Sequence, residues 1–553
     1  MTSCNPLSTT ATSRSHQITL TKMSSTTNPP DACPTCACFT ETTFSGHERS
    51  PRVSKLLRCN DPPSDGELSD FQSTVRSGPG HLADLDQKIV HAKEHLTTLI
   101  HERSVLEAKI DDARTLSSPI RRLSSDVLRA IALETIPSSH EVMNSTLQRF
   151  DSCNSLDSRE SPWTLAQVSH RWRSTIVNAP EVWSSMSLVI KHDDKPTIVV
   201  RQMFMTGLRL ERSKSFPLTV SLSSSPDADI SNHPLLFLIS TRCSLIRNLR
   251  IGASLISYPV FSWWRGRFDQ LYKLSLTSPP LPNRGQLSSG GVESAIDVFE
   301  YAPKLKTVGL WISDGLHFSF RFPWTRITHL GIQIFDQQDI DILRQLNNLN
   351  HLHIAYGKGV FAVPADHRAI SLPDLTLLTL TYRYRRPTPS LPLHPENDQI
   401  FSLLSIPNLT DLSLIYRRGF SVSPAIPASN TITTLKLEFS DEGDDYQALT
   451  ILFQSLTNLR HLTISSPYDI PTFIIVLMLV PLLHLRTLDF RQLTITCEYA
   501  MFVQMIRARR KGNDLSIDQL ESVYLRSPLT LSDPYTSMWQ DLIDEGLKVV
   551  YGK

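Results

Sequence analysis

Residues 459–464 read Leu459-Arg460-His461-Leu462-Thr463-Ile464, and the same arrangement stands at Leu349-Asn350-His351-Leu352-His353-Ile354. An aliphatic residue, two others, an aliphatic, a polar residue and a third aliphatic suit a short strand that is half buried. Side chains alternate across a strand, so the second and third aliphatics enter a core while the residues around them face outward. Outward from these two, the pattern recurs at Leu305-Val308-Leu310, Ile327-Leu330-Ile332, Leu271-Leu274-Leu276 and Ile246-Leu249-Ile251. Toward the C-terminus it returns at Leu375-Leu378-Leu380, Leu409-Leu412-Leu414, Ile432-Leu435-Leu437, Leu485-Leu488-Phe490 and Leu520-Val523-Leu525.

In so leucine-rich a chain the bare pattern would arise about eight times by chance, and about twice if the residues between must be mostly polar or small. Nearly all copies meet the stricter form; Leu377 breaks it in one. Helical patterns at Ser294–Glu300, Ile340–Leu346, Tyr446–Leu456 and Glu498–Arg510 precede individual copies. First residues of successive copies lie 22 to 35 apart. The expectation over 187–553 is therefore an α/β chain of repeated helix-strand units, a solenoid with a shared core and a parallel sheet. Its outward face would display Lys273, Ser275, Thr307, Gly309, His351, His353, Asp411, Ser413, Lys436, Arg460, His461 and Asp489. Such mixed polarity suits a protein partner better than a small substrate.

Upstream the pattern changes. Residues 1–60 are rich in Ser, Thr, Pro and Asn without an apolar face, which predicts a disordered tail. Cys33, Cys36 and Cys38 cluster there, but no second Cys or His pair follows at finger spacing, so no metal is expected. Residues 61–81, with Pro62, Pro63, Gly66, Gly78 and Pro79, read as a linker that keeps helix from forming. Over 82–116 Leu82, Ile89, Leu96, Arg103 and Ile110 fall seven apart, and Leu85, Ala92, Leu99, Leu106 and Ala113 fill the companion positions. These heptads predict one long helix with a narrow apolar stripe. Two readings stay open: a homodimer through 82–116, or a helix folded back on its own chain.

Residues 117–186 form a helical block. Ser124 or Ser125 can cap a helix with Asp126 in its first turn and an apolar face of Val127, Leu128, Ile131 and Ala132. A second helix near Trp163–Val177 presents Leu165, Val168, Trp172 and Ile176, and Pro180 ends it. A polar, helix-poor insertion, 137–161, separates the two.

Composition narrows the function. The 553 residues are too many for one ordinary core. A net charge of +1 gives no general attraction to nucleic acid or anionic membrane. No secretory signal is apparent, and the longest apolar run, Phe473–Leu485, is too short for a span and reads as a buried helix, so a cytoplasmic or nuclear location is expected. No phosphate loop, His-Glu-x-x-His pair or Gly-x-Ser-x-Gly elbow is present, so neither an enzyme nor a cofactor is expected. Arg507, Arg509, Arg510 and Lys511 read as a solvated helix end.

Three stretches carry a resemblance: Pro119-Ile120-Arg121-Arg122-Leu123-Ser124-Ser125-Asp126-Val127-Leu128-Arg129-Ala130-Ile131, then Trp163-Thr164-Leu165-Ala166-Gln167-Val168-Ser169-His170-Arg171-Trp172-Arg173, then Pro180-Glu181-Val182-Trp183. Together they resemble the F-box motif, in the form found in the expanded F-box families of mushroom-type fungi, where a heptad helix precedes the box and irregular leucine-rich repeats follow. The resemblance implies a module that docks on the Skp-type adaptor of a cullin-RING ubiquitin ligase while the repeats hold a target protein. By position, Pro119, Ile120, Leu123, Val127, Leu128 and Ile131 would line the adaptor-facing or core side of the first helix. Leu165, Val168 and Trp172 would do so on the second, and Trp183 would close the module against the first repeat. Ser124 stands where Pro is usual, Asp126 for Glu, Ala132 for a large aromatic and Ser169 for Cys. The alternative is a repeat-based interaction scaffold acting outside any ubiquitin ligase.

Overall fold

A computed structural model describes residues 49–144, 155–225, 230, 232–278, 296–312, 320–334, 337–356, 369–382, 401, 403–416, 430–439, 446–465, 470–480, 482–491, 499–510, 518–529 and 535–552. The cysteine cluster and residues 1–48 of the expected tail lie outside them. The chain divides into two compact units, one ending at Arg121 and one running from Arg122.

The first unit is helical. Pro51–Leu56 forms a short helix where a disordered tail was expected: Ser50 caps it at Val53 N, Pro51 occupies the first turn, and Arg52 pairs with Glu67 at 3.1 Å. The expected linker is also helix, because a single helix runs Asp65–Ser117, 53 residues with Pro79 inside. A reciprocal capping box starts it, with Ser64 Oγ accepting from Glu67 N and Glu67 Oε2 accepting from Ser64 N at 2.8 Å. Pro79 removes one intrahelical hydrogen bond; the turns on either side carry the helix across it.

Among the described residues of the second unit, fourteen strands form one sheet in chain order, every neighbouring pair parallel. Each of the eleven sequence repeats coincides with a strand. All their apolar positions are 2% exposed or less. Register keeps like with like: Leu249, Leu274, Val308, Leu330, Leu352, Leu378, Leu412, Leu435, Leu462, Leu488 and Val523 stand side by side across the sheet. Burying a column of such side chains contributes about 1.5–3 kcal/mol for each.

Three strands escaped the pattern: Ser185–Ile190, Leu218–Ser224 and Lys548–Tyr551. Aligned on their neighbours, Trp183 and Gly546 take the place of the leading aliphatic in the first and the last, and in the second a register shift after Leu218 sets Leu218 opposite Ile246 and breaks the spacing; Gly546 sits at φ +95°, where a side chain is strained. Polar bonds also tie successive strand units. Asn348, Asn408 and Asn458, each just before a leading Leu, donate from Nδ2 to Thr325 O, Pro373 O and Asn430 O at 2.6–2.9 Å.

Of the helical expectations, Tyr446–Ser455 and Tyr499–Arg510 are helices, 337–345 is a short helix running into a 3-10 turn, and 296–300 is a bridge and turn, not a helix. Ile470–Leu479 is a helix with Phe473, Ile474 and Leu477 buried and Leu479 exposed. No helix among the described residues is long and apolar enough to cross a membrane. Of the basic run, Arg507 is exposed as expected, whereas Arg509 and Arg510 are turned inward. Arg509 donates to Leu477 O, Val480 O and Leu482 O, and burial pulls its guanidinium down to about 10. Arg510 is buried and donates to Leu520 O and Glu545 O. Both satisfy carbonyls that neighbouring helices leave open at their C-termini; Lys511 lies outside the described residues.

Candidate protein-docking surfaces

The helical block leads straight into the sheet. Ser124 Oγ accepts from Val127 N at 3.3 Å and caps Ser125–Thr135. On that helix Leu128 and Ala132 are buried, Ile131 is half-buried, and Val127 is 43% exposed. The expected second helix is two: Leu165–Val168 stops at Ser169, whose backbone is extended, and His170–Val177 follows. Ser169 Oγ accepts from Trp172 N at 3.3 Å, so the serine at this position restarts the helix. Trp172 is buried, Leu165 half-buried, and Val168 59% exposed.

A third helix, Pro180–Trp183, buries Trp183, whose Nε1 donates to Ile176 O at 2.8 Å. Trp163 meets it edge-on at 4.9 Å, and the Arg212 guanidinium lies 4.5 Å over its ring. Arg209, fully buried and lowered to about 9 by desolvation, donates to Ser185 O at 2.5 Å. Glu181 is buried and pairs with Arg129. These contacts run from the block into the helix Pro196–Arg212 and the first strand.

Thus the sequence-predicted residues separate. Leu128 and Trp172 are core; Leu123, Ile131 and Leu165 are half-buried against that core; Val127 and Val168 face solvent. Ile120 is 48% exposed, and Pro119 is exposed with it in the 3-10 turn Pro119–Arg122. Ala132, fully buried, changes the filling of the core and not the outer surface.

The insertion 137–161 is neither helix-poor nor peripheral where it is described. Ser138 and Glu141 exchange capping bonds around the helix Ser139–Asn144, which lies against the first three strands. Ser139 Oγ meets Thr219 Oγ1 at 3.1 Å. Val142 and Met143 are buried yet stand outside the main apolar core. Residues 145–154 lie outside the described residues.

Farther along the sheet most outward side chains are partly exposed; Ala355 and Thr381 are buried. Trp311 lies flat over Gly309 of its own strand and Gly331 of the next: a Cβ at Gly331 would come within 2.7 Å of Trp311 Cζ2, and one at Gly309 within 3.0 Å of Nε1. His353 meets the indole edge-on at 4.9 Å and bonds Thr381 Oγ1 through Nε2 at 2.9 Å. Beside them the rings of His329 and His351 approach to 4.1 Å. Burial, then His351, Lys273 and Lys306, hold the His329 imidazole below its usual range. On later strands Lys436 faces Glu438 at 3.7 Å, and Arg491 pairs with Asp489 at 2.6 Å while lying over Tyr524.

Of the side chains expected on this face, His351, His353, Asp411, Ser413, Lys436 and Asp489 are there; Ser275 is buried, and Arg460 precedes its strand. Trp311 and His329 were missed. Gly309 and Gly331, at the same place in successive repeats, were the available signal. No group of three or more His, Cys, Asp or Glu among the described residues is placed to hold a metal. Neither family models nor curated protein sequences give a match to this chain.

Proposed function

We propose that the chain is a non-catalytic substrate receptor of a cullin-RING ubiquitin ligase. In this reading the block 117–186 is an F-box that docks a Skp-type adaptor, and the parallel sheet belongs to a leucine-rich-repeat-like solenoid that holds a target protein. Other subunits would carry out ubiquitin transfer. The supporting observation is the division of labour within the block. Leu128, Ala132 and Trp172 are consumed by the core, yet Ile120, Val127 and Val168 remain apolar and exposed, where a soluble helical cap needs no such residues. Downstream, a partly open sheet face offers Trp311 beside His353, and Arg491 lying over Tyr524; aromatic and arginine side chains are the ones that protein interfaces enrich.

The test is a pull-down of a purified Skp-type adaptor with the full chain and with the double variant Val127→Asp/Val168→Asp. Two exposed positions change, so the fold should persist by circular dichroism. Each valine lost from an apolar contact costs about 1.5 kcal/mol or more, so affinity should drop by about a hundredfold or more. Absence of binding by the unaltered chain, or equal binding by the variant, would favour a repeat scaffold acting outside a ligase.

A further inference from the structure

We propose that the helix Asp65–Ser117 pairs with the same helix of a second copy of this chain, antiparallel and over its whole length. This inference is independent of the F-box reading. Because the helix begins at Asp65, the heptad positions continue upstream through Leu68, Phe71, Val75 and Gly78, giving seven heptads. Leu68, Val75, Leu82, Ile89, Leu96 and Leu106 on this stripe are each at least 43% exposed. A two-helix seam is the arrangement that buries so narrow a stripe.

Charge chooses the occupant and its direction. Parallel and in register, the flanking positions would set Lys88 against Lys93, Glu102 against Glu107 and Lys109 against Arg114, and Arg103 would face Arg103 inside the seam. Antiparallel and fully overlapped, Leu68 of one copy stands opposite Ala113 of the other, Leu82 opposite Leu99, and Leu96 opposite Leu85. The flanking pairs become Asp86 with Lys93, Asp65 with Arg114 and His81 with Glu102, and no carboxylate meets a carboxylate. Arg103 then lies opposite Gly78, which leaves room for its aliphatic stem; its guanidinium already turns outward to Glu107 at 3.0 Å. Sliding the pair by one heptad either way sets Lys93 against Lys93 or Asp86 against Asp86. The full overlap is the register that avoids both.

Asp86 and Lys93 have no charged residue three or four positions away on their own helix, so changing them reports on the partner. Sedimentation equilibrium of the full-length chain over a wide concentration range should show a monomer–dimer equilibrium. Lys93→Glu puts a second carboxylate against Asp86 at two symmetric places and should raise Kd about tenfold. The exchanged variant Asp86→Lys/Lys93→Glu should recover the original Kd. A parallel dimer responds oppositely, because the introduced carboxylate would then meet Lys88, so tighter association on Lys93→Glu overturns the proposal. A monomer at every concentration overturns it as well, and leaves the stripe to its own chain or to an unrelated helix.

Discussion

The first strands and the middle strands of the sheet share one alternating pattern, yet their outward faces meet different fates. On Leu218–Ser224 the outward Thr219, Ser221 and Ser223 are buried, and on the next strand Arg250 is buried with its guanidinium lowered by desolvation. From Thr307 to Phe439 the corresponding positions, Thr307 and Gly309 through Lys436 and Glu438, are partly exposed, except for the paired Ala355 and Thr381, which are buried. The difference lies with the helix Ser139–Asn144, which lies against the first three strands. Alternation therefore tells which residues leave the core; it does not tell which of them reach solvent. Only the open part of the face can serve as a recognition surface without rearrangement.

The strongest way to break this contrast is to place a charge under the covering helix. Met143→Asp would bury an unpaired carboxylate at a position only 4% exposed. It should cost about 3 kcal/mol in urea unfolding of the full chain. Thr463→Asp, on the open face, should change stability by less than about 0.5 kcal/mol. Equal effects at the two positions would mean that the two ends of the sheet are alike.

Why the sequence revealed one side of the sheet and not the other follows from the forces involved. Burial in a shared core admits only apolar side chains at fixed spacing, so all eleven repeats were legible and their strands stack in the expected order. Covering the outer face took a short helix whose apolar content is little more than Val142 and Met143, too little to stand out in a polar segment. The long helix is legible over 82–116 but not upstream, because Gly78 and Pro79 are helix breakers by type, whereas Leu68, Phe71 and Val75 continue the stripe across them. In the helical block the pattern placed the helices but did not separate core residues from surface ones. Val127 and Leu128 are adjacent, equally apolar, and opposite in exposure. Charge alone does not place Arg509 and Arg510, because a guanidinium can be buried once carbonyl oxygens receive its donors.

A smaller effect is expected within the open face. Gly331→Ala would bring a methyl group against the Trp311 ring and should destabilise the protein by about 1 kcal/mol. In a Trp311→Ala background the same change meets no ring. There it should be neutral, or stabilising by about 0.5 kcal/mol through the lower backbone entropy of alanine. A double-mutant cycle of thermal unfolding measures the difference. Additive effects would show that the indole does not rest on Gly331.

The smallest expected effect is a pH dependence confined to the open face. His329 sits between His351 at 4.1 Å and the ammonium groups of Lys273 and Lys306, and its Nδ1 pairs with Thr328 Oγ1 at 2.8 Å. Burial and these neighbours hold the folded-state pKa below the ordinary 6.5. Unfolded chains then take up the proton first as the solution is acidified. Near pH 8 both states are neutral at this residue and it contributes no slope; stability is lost as pH falls through the unfolded value of about 6.5 and on through the depressed folded value. His329→Gln should therefore flatten the dependence of Tm on pH between about 7 and 5, with little change at pH 8. The slope should shrink without vanishing, because burial also depresses His233, which the variant keeps. His351→Gln removes only one of the neighbours and leaves burial, the larger cause, in place, so it should flatten the curve less than His329→Gln. The reverse order would show that the burial of His329 is not the source of the slope.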